Sequence, residues 1–389
     1  MRERLIAWAA INTGTANVRG ISDLAEKIEE YAAVLGGVIE RCDLPPYTSI
    51  DHRGNSVAVP VGPALSIIKR PDALLRVFLC IHTDTVYGRD DPFQTVTSPD
   101  GRLRGPGVAD AKGGLVVMLT ALEALERSPF APQVGWEVLI NPDEEIGSPG
   151  SSGLLLAGAK RNHLGLLFEP TLPDGALVDR RRGSQNLSVV IRGKSAHAGR
   201  DFASGRSAMV AAARFTLALH ALNQTLPGIN LNVGAIDGGG PANVVPDLAI
   251  CRVNIRTTEV ADEQKVEQAL VNLLTELNAQ EGISGRIFPQ SGSPPKILSK
   301  PERWLLEAAI KCGRDLGLHL ISRPSGGACD GNRLSAAGLP NLDTLGVRGG
   351  DIHSPSEYMV LDSLVERAQL SALLLMKLAN GEEQGIAKQ

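Results

Sequence analysis

Two adjacent carboxylates, Glu144 and Glu145, follow an apolar run from Val134 to Ile140 that reads as a buried strand. Neighbouring residues at a strand end point to different sides of the chain. One carboxylate can then hold a metal ion while the other takes the proton from that ion's water, which suits metal-assisted hydrolysis. A solvated acidic loop capping the next helix would look the same in isolation, so the reading depends on what else the chain carries. His82 closes a second apolar run, Leu74 to Ile81. Asp110 lies in a glycine-flanked stretch, Glu169 follows the short run Leu164 to Phe168, and His353 sits in a polar loop between Gly349-Gly350 and Pro355. These are five oxygen and nitrogen donors at strand ends or in the loops beyond them, in a chain with only 7 histidines. Mixed histidine and carboxylate donors without cysteine suit zinc in a catalytic setting. Two histidines and three carboxylates are too many for one tetrahedral ion. They match two ions about 3.5–4 Å apart that share a carboxylate, and the short Asp110 is the natural bridge.

The elements that must position these groups follow from hydropathy and its period. Residues 21–41 predict an amphipathic helix, with Ser22 as N-cap and Leu24, Ile28, Tyr31, Val34 and Leu35 as its apolar stripe. Strands are expected over 57–59, 64–69, 74–81, 134–140 and 164–168, and a long helix over 114–127. Strands alternating with helices, with polar residues at strand C-termini, predict an open α/β sheet that binds its ligand at that edge. The pattern changes near Arg180-Arg181-Arg182-Gly183. A strand over 185–193, a helix over 205–226, strands over 229–236 and 248–257, a helix over 262–280 and a strand over 285–288 spell β-α-β-β-α-β, the ferredoxin-like split unit. A flexible segment, Pro289 to Pro295, is expected to lead back to a strand over 318–322 and helices over 300–316 and 361–379. The expected organisation is a catalytic domain in two parts, residues 1–181 and 293–389, with an inserted α+β domain over 182–292.

Composition bounds the reading. A chain of 389 residues exceeds one ordinary core, which agrees with two domains. A net charge of -4 with no Lys/Arg-rich run argues against a nucleic-acid partner. No apolar run approaches the ~20 residues needed to span a bilayer, and the N-terminal apolar stretch is too short for a secretion signal. Five scattered cysteines without a CxxC pair predict neither a disulfide framework nor a cysteine zinc site. A cytoplasmic protein is expected. No GxGxxG opens a helix after the first strand, which counts against a dinucleotide-binding dehydrogenase.

The stretches His82-Thr83-Asp84, Gly107-Val108-Ala109-Asp110-Ala111-Lys112-Gly113-Gly114, Asp143-Glu144-Glu145-Ile146-Gly147-Ser148, Phe168-Glu169-Pro170 and His353-Ser354-Pro355 together resemble the motifs of the M20 metallopeptidases. That family includes glutamate carboxypeptidases, aminoacylases, acetylornithine deacetylases and succinyl-diaminopimelate desuccinylases, and the pattern is most similar to the glutamate carboxypeptidase branch. The resemblance implies an open mixed-sheet zinc-peptidase domain with an inserted lid and dimerisation domain. It implies two Zn²⁺ per subunit, with Co²⁺ or Mn²⁺ as substitutes: His82 and Glu169 on one ion, Glu145 and His353 on the other, and Asp110 between them. Glu144 would be the general base, and Asp84 would fix the His82 imidazole. A cis peptide after Asp110 is implied as well. In Gly193-Lys194-Ser195-Ala196-His197-Ala198-Gly199, His197 would reach the partner subunit's site and stabilise the oxyanion, which implies a homodimer. Asn243, Arg256, Gly326 and Gly327 match positions that contact substrate, with Arg256 offering a two-pronged grip on a carboxylate.

The implied reaction is cleavage of an amide beside a free carboxylate, in a small peptide or an N-acyl amino acid. Glu at position 169 resembles the carboxypeptidase and deacylase branches. One departure stands out: where the glutamate carboxypeptidases carry an arginine, this chain reads Ser291-Gly292-Ser293-Pro294-Pro295, which puts selection for glutamate in question. The alternatives are an N-acyl-amino-acid deacylase with the same metal ligands and, in another class, an inactive binding protein on the same fold. Presence of all five ligands, the base and His197 argues against the last.

Overall fold

The structure, a computed structural model, describes residues 1–381. Its largest sheet has six strands in the spatial order Val38–Cys42, Ala64–Lys69, Val134–Asn141, Leu75–His82, Leu164–Leu167 and Asn341–Leu342. The first two pairings are antiparallel and the other three parallel. Parallel strands are covered on both faces, which is why they read as unbroken apolar runs. Leu75–His82 shows this residue by residue: Val77, Leu79 and Ile81 enter one core, Phe78 and Cys80 the other. Helices Arg2–Ala9, Val18–Ala32, Lys112–Glu126, Lys300–Asp315 and Ser363–Ala379 pack on the first face, and Ser152–Arg161 and Asp330–Ala336 on the second. The parallel strands Val134–Asn141, Leu75–His82 and Leu164–Leu167 are neighbours, so their C-termini share one edge. Among the described residues no helix is long and apolar enough to cross a membrane.

The fold is mixed α/β with open sheets, as expected, but several elements differ. The helix expected over 21–41 is Val18–Ala32, and its N-cap is Asn17, whose side chain accepts from the Gly20 N–H; Ser22 lies inside it. Beyond Ala32 the chain makes one tight turn, reaches Gly36 with φ +68°, and becomes the edge strand Val38–Cys42. Gly37 is needed there, because a Cβ would meet the Ile67 side chain at 2.9 Å. The strand expected over 318–322 is Ser322–Ser325. Ser56–Val59 pairs with Tyr47–Ile50 as a hairpin whose first strand carries too little apolar alternation to be legible.

A four-stranded antiparallel sheet in the order Asn230–Gly238, Leu248–Thr257, Gly183–Arg192 and Ser284–Ser293 has a separate core. Leu187, Val189, Ile191, Cys251, Val253 and Ile255 face helices Ala208–Ala221 and Ala261–Asn278, the ferredoxin-like arrangement. The segment expected to be flexible from Pro289 is instead strand as far as Ser293. Pro289 sits at a bulge opposite Leu187 on an edge strand, where its missing N–H costs the ladder nothing. Where the chain enters and leaves this unit, Arg181 and Lys296 both pair with the fully buried Asp343, at 3.0 and 2.7 Å.

Candidate metal centre and active site

The shared edge of the three parallel strands assembles most of the site. His82 is the last residue of Leu75–His82, Glu144 and Glu145 lie in the turn after Val134–Asn141, and Glu169 follows Leu164–Leu167. Asp110 stands just before helix Lys112–Glu126, and the Asp110–Ala111 peptide is cis, as the resemblance implies. The strand Arg102–Arg104 pairs with Tyr358–Val360, which brings the Asp110 loop against the His353 loop. His353 itself adopts φ +59°, a left-handed conformation with a cost of about 1–3 kcal/mol for a residue other than glycine.

Five side chains converge. His82 Nε2 lies 3.1 Å from Asp110 Oδ1 and 3.6 Å from Glu169 Oε2. His353 Nε2 lies 3.3 Å from Asp110 Oδ2 and 3.1 Å from Glu145 Oε2. Asp110 thus turns one oxygen to each imidazole, and each imidazole has a second carboxylate beside it. Donor atoms of His82, Asp110 and Glu145 also lie within 4.8 Å of one another.

The electrostatics are those of a cation site. Burial, then the charge of Glu169, pushes the Glu144 carboxyl well up. Burial and Asp110 raise Glu145 to about 7, and burial raises Glu169. Burial opposes ionisation of Asp110, yet hydrogen bonds with His353 and His82 outweigh it and hold its carboxyl well below the usual range. Contacts with Asp110 and Glu145 lift His353 to about 11. Four carboxylates are therefore held together with two imidazoles among them, while the Arg181 guanidinium acts on Glu169 from beside the cluster. A field that holds protons on imidazoles will exchange them for divalent cations. The spacing agrees: donors around one tetrahedral zinc with bonds of 2.0–2.2 Å stand about 3.4 Å apart. The donor set fits two such ions.

Three supporting contacts escape a sequence reading. The fully buried Asp84 does more than orient His82, whose Nδ1 lies 3.3 Å from Asp84 Oδ1. Its two oxygens also accept the backbone N–H groups of Glu144 at 3.0 Å and Glu145 at 3.1 Å, so one carboxylate ties the end of Leu75–His82 to the turn after Val134–Asn141. Thr15 donates to Asp84 Oδ2 at 2.7 Å. The fully buried Glu357 accepts from the N–H groups of Gly107, Ala109 and Asp110 at 3.2, 2.9 and 3.1 Å, fixing the loop that carries Asp110. A glutamate four residues after His353 was the available signal. Asp84→Asn is expected to lower metal affinity or turnover by roughly 10–100-fold. Titration of the metal-free variant with Zn²⁺ checks this, and wild-type affinity together with wild-type rate would contradict it.

The remaining sequence-predicted residues do not join this cluster within the chain. His197 and Asn243 lie together on an exposed two-stranded ribbon, where the Ala198 N–H donates to the Asn243 carbonyl at 2.9 Å. His197 Nδ1 accepts from the N–H groups of Gly199 and Arg200 at 3.1 and 3.2 Å, which leaves Nε2 as the outward-facing nitrogen. Arg256, half-buried on Leu248–Thr257, donates from Nε to Asn254 Oδ1 at 3.0 Å. Gly326 and Gly327 are exposed after Ser322–Ser325, and the Gly327 carbonyl accepts from Arg181 at 3.4 Å. A cavity of about 330 Å³ opens beside Glu145. A larger one, about 750 Å³, lies along helix Ala261–Asn278, away from the histidines.

Comparison with known proteins follows the same line. A family model described as Peptidase family M20/M25/M40 matches residues 78–377. Carboxypeptidase G2 of Pseudomonas sp. (strain RS-16) is 26% identical over 376 residues, 96% of this chain and 88% of that protein. A succinyl-diaminopimelate desuccinylase of Gluconobacter oxydans is 31% identical over 275 residues, 63% of this chain and 71% of its own. The crystal structure of an M20 family metallo-carboxypeptidase from Sulfolobus solfataricus aligns with a TM-score of 0.77 over 97% of this chain and 99% of that one. At 16% identity that likeness concerns the fold.

Proposed function

The chain belongs to peptidase family M20/M25/M40 and is a hydrolase, and from that premise we propose that it uses two zinc ions to cleave an amide beside a free carboxylate. Cobalt or manganese would substitute. The observation that carries the reading is the Asp110 carboxylate, with one oxygen 3.1 Å from His82 and the other 3.3 Å from His353. His82 and Glu169 would hold one ion, His353 and Glu145 the other. When bound, the ions would polarise the scissile carbonyl and acidify the attacking water. Glu144 takes the proton of that water and returns it to the leaving amine. Arg256, with Nε committed to Asn254, turns its two terminal nitrogens to the substrate's free carboxylate.

His197, whose Nδ1 is occupied by two backbone N–H groups, presents Nε2 from an exposed ribbon and suits an oxyanion. We place it in the site of a second copy. The strand Asn230–Gly238 is a sheet edge; Ile236 on it is 40% exposed, and Val210 and Leu217 on the adjoining helix are 50% and 71% exposed. Val210 and Leu217 are seven apart on one helix and share a face. An open edge flanked by exposed apolar side chains favours a homodimer through the unit formed by residues 182–292.

Hydrolysis of a panel of N-acyl amino acids and dipeptides, with added Zn²⁺ and with chelator, tests the reaction and separates a carboxypeptidase from an N-acyl-amino-acid deacylase. Metal-independent turnover would end the proposal. The dimer has its own test. His197→Ala should cost roughly 10²–10³-fold in kcat. Co-refolding it with the inactive Glu144→Gln chain should restore roughly a quarter of wild-type activity, because half the dimers are mixed and each mixed dimer has one intact site. If the mixture stays inactive, His197 does not act across subunits.

A further inference from the structure

The inserted sheet has an unusual exposed face. Cross-strand register places Asn232, Asn254, Asn186 and Ser291 in one row across all four strands, and Asn230, Arg256, Ser184 and Ser293 in the next. Directly opposed residues share a face. Farther along the same face Ile250 and Val190 are buried against Ile50 of the hairpin. Half of this face thus has an apolar partner within the chain, and the other half is polar.

The first row is ordered. Arg256 Nε donates to Asn254 Oδ1 at 3.0 Å, Asn254 Nδ2 to Asn186 Oδ1 at 2.7 Å, and Asn186 Nδ2 to Ser291 Oγ at 3.1 Å. This chain of bonds fixes which amide atoms face outward. Asn254, Asn186 and Ser291 line the 330 Å³ cavity, together with Tyr47 and Glu145. The only cation among the described lining residues is Arg252. Its guanidinium is already committed to Asp237 at 2.9 Å, the Ser188 hydroxyl at 3.0 Å and the Ile50 carbonyl at 2.8 Å.

We infer that this cavity receives the side chain of the substrate's carboxylate-bearing amino acid, and that the side chain it selects is uncharged and hydrogen-bonding, such as that of asparagine, glutamine or serine. The inference rests on the reading that Arg256 grips the free carboxylate. With the carboxylate at Arg256 and the scissile bond at Glu144 and Glu145, the residue between them lies along Asn254, Asn186 and Ser291. Side-chain amides and hydroxyls there offer donors and acceptors. A glutamate side chain would find no uncommitted cation among the described lining residues. A leucine side chain would cover the donor and acceptor capacity that the row's own bonds leave unused, which costs more than an absent contact. Ser291 and Ser293 each end one of these rows on the edge strand.

The test is isothermal titration of N-acetylated asparagine, glutamine, serine, glutamate and leucine into the zinc-loaded Glu144→Gln protein, which binds without turnover. The three polar uncharged compounds should bind about tenfold more tightly than the other two. Near-isosteric Asn186→Leu should erase that preference while N-acetylleucine stays within about threefold. Ser291→Ala, at the far end of the row, provides the same comparison if Asn186→Leu does not fold. Glutamate or leucine compounds binding as tightly, a ranking unmoved by the substitutions, or no binding by any compound overturns the inference. A preserved ranking with no hydrolysis by the wild-type enzyme would sink the proposed reaction and leave the cavity assignment standing.

Discussion

Glu144→Gln is expected to lower kcat by roughly 10²–10⁴-fold without displacing the proposed metal ions. Glutamine keeps the size and shape of the side chain and removes the proposed base. The backbone needs no rearrangement, because the Glu144 N–H, not its side chain, is what Asp84 holds at 3.0 Å. The five proposed ligands are untouched, since the short contacts in the cluster run between His82, Asp110, Glu169, His353 and Glu145. Steady-state kinetics beside metal analysis of the same sample reads both halves of the expectation. A kcat within a few-fold of wild type would remove Glu144 from the reaction. Loss of metal would instead make it a ligand. A secondary effect follows from the crowding of carboxylates: without metal, the variant should melt higher than the wild type, because one buried member of a mutually repelling set is neutral.

Asp110→Asn removes the shared carboxylate, and its effect is of similar size. A neutral amide cannot serve two cations as an anion, so the variant is expected to bind at most one ion. Loss of several kcal/mol of transition-state stabilisation corresponds to a fall of roughly 10³-fold in kcat/KM. Chelation should reproduce that loss in the wild type and reverse on adding Zn²⁺. Binding to the folded state alone also stabilises it, by about 2.7 kcal/mol when free metal is 100 times its Kd. A chelator should therefore lower the Tm of the wild type by more than that of Asp110→Asn. Two ions retained by the variant at full affinity would refute the bridging role of Asp110.

Much of the centre was legible before the fold. His82 and the Glu144-Glu145 pair each close a run whose apolar character carries over seven or more residues, and such runs report a strand buried on both faces. A chemically distinct residue at the end of such a run stands at the ligand edge of a parallel sheet wherever the strand lies within it. The same local information failed where two short signals competed. The apolar stripe through Val34 and Leu35 suggested a helix past residue 36, while Gly36-Gly37 ended it and Val34 is 65% exposed. The prolines from Pro289 suggested a flexible exit, while an edge strand with a bulge tolerates them.

By its order of residues alone, this chain determined which groups were on offer: two imidazoles and three carboxylates of the kinds that bind metal, a fourth carboxylate beside them, and a net charge of -4. It also determined the alternation of strands and helices that brings those groups to one edge. Only the tertiary structure decided how they are held. Asp84 holds the backbone of Glu144 and Glu145 across 60 residues, and Glu357 holds the Asp110 loop across nearly 250. The polar row from Arg256 to Ser291 exists because four strands pair in one register. The reason is physical. Hydropathy and its period are properties of a few neighbouring residues, whereas a hydrogen bond to a distant backbone N–H, or a row across a sheet, depends on which segments the whole chain packs side by side.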